Sequence, residues 1–136
     1  MYVRFVVGAQ GGDHRNMTGL ITEARLLTEQ VQLEPYETAE VHSVFDWFNE
    51  HVPCPPFEES GWPSDVVAWF KGSAKQEIQV MRRLVPLLEA HGRYVRLVRS
   101  ADPGRIFYED DVQVVVEEWP RIKKSYWLYV PKREVR

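Results

Sequence analysis

Residues 94–119 read YVRLVRSADPGRIFYEDDVQVVVEEW, and this stretch decides the fold class. Apolar and polar side chains alternate over 94–99, which is the period of a half-buried β-strand. Residues 105–108 and 112–119 are predicted to follow as two further strands. The last two strands are predicted to form a hairpin across Glu109-Asp110-Asp111, a turn without glycine.

The beginning of the chain has the same character, since Tyr2 to Val7 also alternates and predicts a strand. Residues 2–6 match residues 94–98 at four of five positions. We interpret this as two half-buried strands of one sheet rather than as a duplication. Between the second and third strands, residues 101–104 predict a turn, with Pro103 and Gly104 at the central positions of type II.

Four helices are predicted between the first strand and the C-terminal set, from apolar spacing, capping residues and stop signals. They cover Leu20 to Val31, Pro35 to before Pro53, Ser64 to Gly72 and Ser73 to Gly92. Ser73 and Gln76 form a capping-box pattern at the start of the fourth helix. Pro86 is expected to kink this helix, and Gly92 to end it.

The resulting order, β-α-α-α-α-β-β-β, predicts an α+β fold with an antiparallel sheet of about four strands and helices packed on one face. We assign residues 1–120 to a single domain and residues 121–136 to a basic, aromatic C-terminal extension, with a short strand at Tyr126–Val130. The chain has 136 residues, of which 44% are hydrophobic and 27% charged. That composition is typical of a globular domain and excludes a largely disordered chain.

Parts of the sequence resemble a known group of proteins. Residues 103–110, running into Val112–Glu117, are similar to the C-terminal part of small bacterial proteins with no assigned function. The first strand and Thr22-Glu23-Ala24-Arg25 are similar as well. The resemblance covers the outer thirds of the chain, and it implies no activity and no catalytic residues.

Cysteine content and hydropathy indicate a compartment. Cys54 is the only cysteine, so no disulfide can form within the chain. The apolar N-terminus meets polar residues too early for a signal peptide, and no apolar run approaches the roughly 20 residues that span a membrane. A cytoplasmic protein without membrane contact is therefore expected.

One face of the predicted sheet is a candidate ligand site. Arg4 and Arg96 fall on the face opposite the apolar residues of their strands, together with Tyr2 and Tyr94. If the two strands are neighbours, the guanidinium groups are placed to bind a phosphate or a carboxylate. The alternative is that the arginines form cross-strand ion pairs with Glu117 or Glu109.

The glycine-rich loop of residues 8–15 is a second candidate, because exposed amides between a strand and a helix hold anions. His14 and Arg15 would add positive charge, although the loop has neither a Walker nor a dinucleotide pattern. The alternative is a connection that needs glycine for its backbone angles. A phosphorylated or nucleotide ligand requires both residues to converge with Arg4 and Arg96 on one cleft.

Catalytic and metal-binding patterns are incomplete. His51 and Cys54 have the spacing of half a zinc site, but no second pair exists, so neither a metal nor a cofactor is expected. We interpret Cys54, which lies among prolines, as a packed residue. Trp47, Trp62, Trp69 and Phe70 are interpreted as core, with a partner surface or a pocket lining as the alternatives. The sequence contains no recognisable Ser-His-Asp pattern, and a non-enzymatic role is expected.

The C-terminal extension is the predicted partner surface. Residues 120–136 have a net charge of +5, which leaves −8 on the remainder of the chain, for −3 in total. This segment contains basic and aromatic residues close together: Lys123, Lys124, Tyr126, Trp127 and Tyr129. We expect this segment to dock on a protein partner or on a second copy in a homodimer. Binding of single-stranded nucleic acid by charge and stacking is the alternative.

Overall fold

The computed structural model describes residues 1–8 and 17–119, and six strands and four helices form in that part of the chain. Their order is β1 Tyr2–Val7, β2 Thr18–Gly19, α1 Leu20–Gln30, α2 Pro35–His51, β3 Val67–Lys71, α3 Lys75–Arg82, α4 Val85–Ala90, β4 Val95–Ser100, β5 Gly104–Glu109 and β6 Gln113–Glu118.

The predicted α+β class and antiparallel sheet are confirmed. β1 has its predicted limits, and α1 and α2 lie within theirs. Pro35 occupies the first turn of α2, where its missing N–H has no intrahelical partner to lose. The expected number of strands, about four, is too low because β2 and β3 were not predicted. The short strand expected at Tyr126–Val130 lies outside the described residues.

The prediction of a third helix over residues 64–72 is wrong, because this segment contains β3. Val67 and Trp69 point to one face of the sheet, while Ala68 and Phe70 point to the other. β3 forms four residue pairs with β6 and two with β1. This pairing, together with the β-branched and aromatic side chains, outweighs the weak helical start signal at Ser64.

The predicted fourth helix is divided into α3 and α4, with a break at Arg83 and Leu84. Pro86 lies in the first turn of α4. The proline that was expected to kink one helix therefore occurs at the start of another, a position in which it removes no hydrogen bond.

The capping box expected at Ser73 does not form, since the N-cap of α3 is Ala74 and no side chain caps it. The predicted stop at Gly92 is confirmed. Gly92 has a φ of +78°, and the following amide, of Arg93, donates to the Leu88 carbonyl at 3.0 Å. This is the hydrogen bond that closes a glycine-terminated helix.

β1 organises the sheet because it has three partner strands. β4 pairs with its whole length, from Tyr2 opposite Ser100 to Val7 opposite Val95. On the other edge, β3 pairs with the first two residues of β1 and β2 with the last two. β6 pairs with β3, and β5 with β6. The two strands with similar sequences are thus neighbours in one sheet, as predicted.

The short connection between β4 and β5 shows that the sheet is strongly coiled. These strands end the order β4-β1-β3-β6-β5, so a flat sheet would separate them by about 19 Å. The chain from Ser100 to Gly104 spans at most about 14 Å. The sheet therefore curves, and on its concave face Val98 of β4 packs with Trp69 of β3 and Val116 of β6.

The helices contact the opposite, convex face of the sheet. Their buried residues form one cluster with two side chains of β1: Phe5, Val7, Leu20, Ala24, Leu27, Val41, Val44, Met81, Leu84, Leu87 and Leu88. Burial of these side chains is the main source of stability for the helical layer.

Asp110 organises the β5–β6 turn in place of a glycine. Its carboxylate accepts hydrogen bonds from the amides of Val112 and Gln113 and from the hydroxyl of Tyr108, at 2.9 to 3.0 Å. Burial alone would raise the pKa of Asp110, but these hydrogen bonds outweigh it and lower that pKa. An aspartate side chain thus supplies the turn geometry that was left open by the sequence.

Glu37 connects α2 to the end of α4. Its carboxylate accepts a hydrogen bond from the Glu34 amide at 2.9 Å and lies 2.8 Å from Nε2 of His91. The hydrogen bond from Glu34, with the contribution of His91, lowers the pKa of Glu37, although burial opposes this.

This arrangement makes stability depend on pH. A carboxyl group with a lowered pKa contributes fully above its ordinary pKa, and the contribution is lost as the pH falls through the folded-state pKa. We therefore expect Glu37→Gln to destabilise the protein near neutral pH and to flatten its loss of stability between about pH 5 and pH 3. Urea unfolding at a series of pH values measures both effects.

The matched control is Glu40→Gln. Glu40 accepts two hydrogen bonds from Arg83, but its side chain is 37% exposed, whereas that of Glu37 is 9% exposed. An exposed ion pair contributes little, so the control is expected to change the pH profile less. Equal changes in the two variants would contradict this explanation.

Candidate functional site

A cavity of about 460 Å³ lies between the sheet and helices α1 and α2. It is lined by Arg4, Phe5, Gly19, Leu20, Ile21, Thr22, Arg25, Phe45, Phe48, Asn49, Val52, Phe57, Val66, Val67, Ala68, Trp69, Phe70, Met81 and Gln113. Its volume is within the range of small-molecule sites, roughly 300 to 1,000 Å³.

The cavity exists because β1 and β3 diverge. Their ladder contains only the pairs Tyr2–Lys71 and Val3–Phe70, and farther along β1 the partner strand is β2. No described ladder joins Arg4 and Phe5 to β3. Both residues line the cavity, as does the facing part of β3.

Most of the wall is apolar. α2 contributes Phe45 and Phe48, and Val52 follows as its C-cap. Phe57 of the following loop is 41% exposed. Ala68 is exposed, although it lies in the middle of β3 and on the side of the sheet that the helices cover elsewhere. The helical layer thus leaves this part of the central strand uncovered.

Arg4 is the charged group set deepest in the wall. Its side chain is 10% exposed, and Nη1 lies 3.7 Å from Oε2 of Glu118. Burial lowers the pKa of Arg4, and the Glu118 carboxylate opposes this. An arginine stays protonated at any physiological pH, so the cavity contains a permanent cation.

The N-terminus of α1 lies beside this guanidinium. Nη2 of Arg4 is 3.7 Å from the position that a Cβ atom on Gly19 would occupy. Gly19 is the N-cap of α1, and no side chain of residues 1–8 or 17–119 caps the helix. The first amides of a helix have no intrahelical acceptor and carry a partial positive charge.

The other polar residues of the wall differ in their availability. Arg25 is exposed and lies over the Phe45 ring, with its guanidinium carbon 5.8 Å from the ring centroid. The amide of Gln113 is engaged, since it donates to the Pro53 carbonyl at 2.8 Å and to Asp110 at 3.0 Å. No aspartate or glutamate is among the described lining residues.

The sequence-predicted ligand residues are distributed unevenly. Arg4 lines the cavity. Arg96 and Tyr2 share the concave face with Arg4 by the register of β4 on β1, but neither lines the cavity. Tyr94 precedes β4 and is 37% exposed. His14 and Arg15 lie outside the described residues, so their convergence with Arg4 stays a prediction.

The structure corrects the expected cross-strand partner of Arg4. Arg4 pairs with Glu118, and not with Glu117 or Glu109. Glu109 instead forms an ion pair with Lys71, in which Oε2 of Glu109 lies 2.6 Å from Nζ of Lys71. Glu118 shares the concave face with Arg4, and Glu117, the adjacent residue, points to the other face.

His51 and Cys54 do not form a joint site. His51 stacks on Trp47, with ring centroids 4.4 Å apart, and Cys54 is exposed rather than packed among the prolines as expected. Within residues 1–8 and 17–119, no group of three or more His, Cys, Asp or Glu side chains is placed to hold a metal ion.

The aromatic residues of α2 were missed by the sequence interpretation. Phe45 and Phe48 fall on the apolar face that helical spacing predicts for α2, but they are only half-buried and line the cavity. Of the aromatic residues proposed as core or pocket, Trp69 and Phe70 line it, and Trp47 and Trp62 do not. Helical spacing reveals which face is apolar, but it does not reveal whether that face is fully covered.

The predicted partner residues Lys123, Lys124, Tyr126, Trp127 and Tyr129 lie outside the described residues. In the part of the chain that is described, no helix is both long and apolar enough to cross a membrane. The cytoplasmic location stays a prediction.

No family model, curated protein or solved structure matches the chain.

Proposed function

We propose that this protein binds a small molecule with an apolar body in the cavity between β3, α1 and α2. The observation that carries the proposal is the uncovered centre of β3. Ala68 is exposed and lines a cavity whose described walls are mainly apolar side chains. Water forms few hydrogen bonds with such walls. Binding of an apolar ligand removes the apolar surface of the walls from water, which is favourable in free energy.

The half-buried phenylalanines support this proposal. Phe45, Phe48 and Phe70 each pack against the core cluster with part of the ring and keep another part accessible. The Phe48 and Phe70 rings are stacked, with centroids 6.0 Å apart. Two packed rings give the cavity a preformed wall, and a preformed wall lowers the cost of ordering on binding.

Ala68→Leu tests the proposal, because a larger side chain at this position fills the cavity that a ligand needs. The probe is the neutral aromatic amide 3-phenylpropanamide, titrated into the full chain by isothermal calorimetry. We expect the unmodified protein to bind it and the variant to bind it at least about tenfold more weakly, equivalent to about 1.4 kcal/mol.

The matched control is Ala90→Leu, the same substitution at an exposed helical position that does not line the cavity. This variant is expected to bind the probe like the unmodified protein. Equal affinity in the Ala68 variant would contradict the proposed function. Failure of the unmodified protein to bind both this amide and the carboxylate with the same ring, 3-phenylpropionate, would contradict it as well.

Two further roles stay proposals from the sequence alone. Docking of the basic, aromatic extension on a protein partner or on a second copy is one, and binding of single-stranded nucleic acid by the same segment is the other. Both depend on residues 121–136, which lie outside the described part of the chain. The expectation of a non-enzymatic role also stays a prediction from the sequence alone.

A further inference from the structure

The charge of the cavity wall restricts the ligand further. Two arginines line the cavity and no described lining residue is acidic, although the whole chain has 20 acidic and 17 basic residues. A wall with only positive formal charge, in a chain of net charge −3, is complementary to an anion.

Two of the positive groups are close together. The Arg4 guanidinium lies beside Gly19, and the first turn of α1, which no described side chain caps, follows directly. A guanidinium binds a carboxylate by two parallel hydrogen bonds, and the amides of a helix N-terminus add donors with the same preference. Since the Arg4 side chain is 10% exposed, water screens this interaction only weakly.

Glu118 limits the charge that the site accepts. Its carboxylate is 3.7 Å from Arg4, which is longer than a hydrogen bond, so it compensates the charge of Arg4 without using the guanidinium in a short contact. One added negative charge is balanced by the α1 terminus and by Arg25. A second negative charge would be buried near Glu118, and the described lining residues contain no further cation to balance it.

We infer that the ligand is a monoanionic carboxylate, whose apolar body occupies the cavity and whose carboxylate is bound by Arg4 at the N-terminus of α1. The inference rests on the proposed function, because it assigns a chemical class to the ligand of the same cavity.

The test compares three probes with the same ring: 3-phenylpropionate, its neutral amide 3-phenylpropanamide, and 2-phenylethyl phosphate. Calorimetric titration of the full chain at pH 7 is expected to show the carboxylate binding at least about tenfold more tightly than the amide. The phosphate, a dianion at this pH, is expected to bind more weakly than the carboxylate.

Arg4→Gln together with Glu118→Gln removes the cation without leaving its carboxylate partner uncompensated. The ratio of carboxylate to amide affinity is the readout, since it cancels changes that affect both probes alike. This ratio is expected to fall to about one, because only the charged probe depends on the guanidinium. Arg96→Gln is the matched control on the same sheet face, and the ratio is expected to be preserved there.

A measurement on the unmodified protein covers the case in which the double variant does not fold. The Nε–Hε resonance of Arg4, observed by nitrogen-15 NMR, is expected to shift with the carboxylate and to stay in place with the amide.

Each outcome distinguishes the inference from the proposed function. Equal binding of carboxylate and amide, an unchanged ratio in the double variant, or tighter binding of the phosphate overturns the inference and leaves the binding of an apolar body intact. An Arg4 resonance that does not respond to the carboxylate overturns it as well. Failure of all three probes to bind overturns both.

Discussion

Replacement of Trp69 by alanine is expected to lower the free energy of unfolding by about 4 kcal/mol. Trp69 is 1% exposed and lies in the central strand β3, where it packs with Val114 and Val116 on the concave face. Removal of the indole leaves a void that the coiled sheet cannot close, because the strands on both sides are held by their ladders. Urea unfolding followed by circular dichroism measures the loss.

Trp62→Ala is the matched control for this prediction. Trp62 belongs to the loop after α2, is partly exposed and contacts the rings of Phe57, Phe107 and Tyr108. The Trp62→Ala substitution is expected to lower the free energy of unfolding by about 1 kcal/mol, since water can fill the space at this partly exposed position. A loss at Trp69 no larger than that at Trp62 would show that the concave cluster is not a core.

Gly104→Ala is expected to cost about 3 kcal/mol or to prevent folding, because the added methyl group has no space. A Cβ atom at this position would lie 2.8 Å from Cα of Glu118 and even closer to the Glu117 carbonyl. Both obstacles are backbone atoms of β6, which is paired with β3 and cannot move alone. The Gly104 position is also where the chain enters β5 after the short connection from β4.

Gly61→Ala separates this steric effect from the general cost of replacing glycine. Gly61 has a φ of +66°, but a Cβ atom there meets nothing within 4 Å. Only the backbone strain of a left-handed residue applies, about 1 kcal/mol. Thermal unfolding of both variants tests the difference, and a Gly104 variant as stable as the Gly61 variant would contradict the close approach of β5 and β6.

The elements that the sequence predicted are those with a clear local pattern. β1, β4, β5 and β6 are rich in β-branched and aromatic residues, and α2 has both a proline at its start and prolines after its end. The β3 segment was predicted to be a helix because the short apolar run of residues 66–70, which begins two residues after Ser64, is compatible with a helix as well as with a strand. Its strand conformation depends on β6, whose residues come more than 40 positions later.

The candidate site could be predicted only in part. The period of two placed Arg4 on the correct kind of face, opposite the side chains that contact the helices. It could not place Arg4 in a cavity, since the cavity depends on β1 changing partner from β3 to β2. β2 contains two residues, too few for any periodic signal.

The sequence by itself determined the fold class, the approximate limits of most elements and the faces of β1 and β4, because these follow from side-chain periods within a few residues. Tertiary structure alone decided the coil of the sheet, the pairing of Arg4 with Glu118 and the gap that forms the cavity. Each of these needs strands distant in sequence to meet, and the meeting depends on the packing of the whole domain.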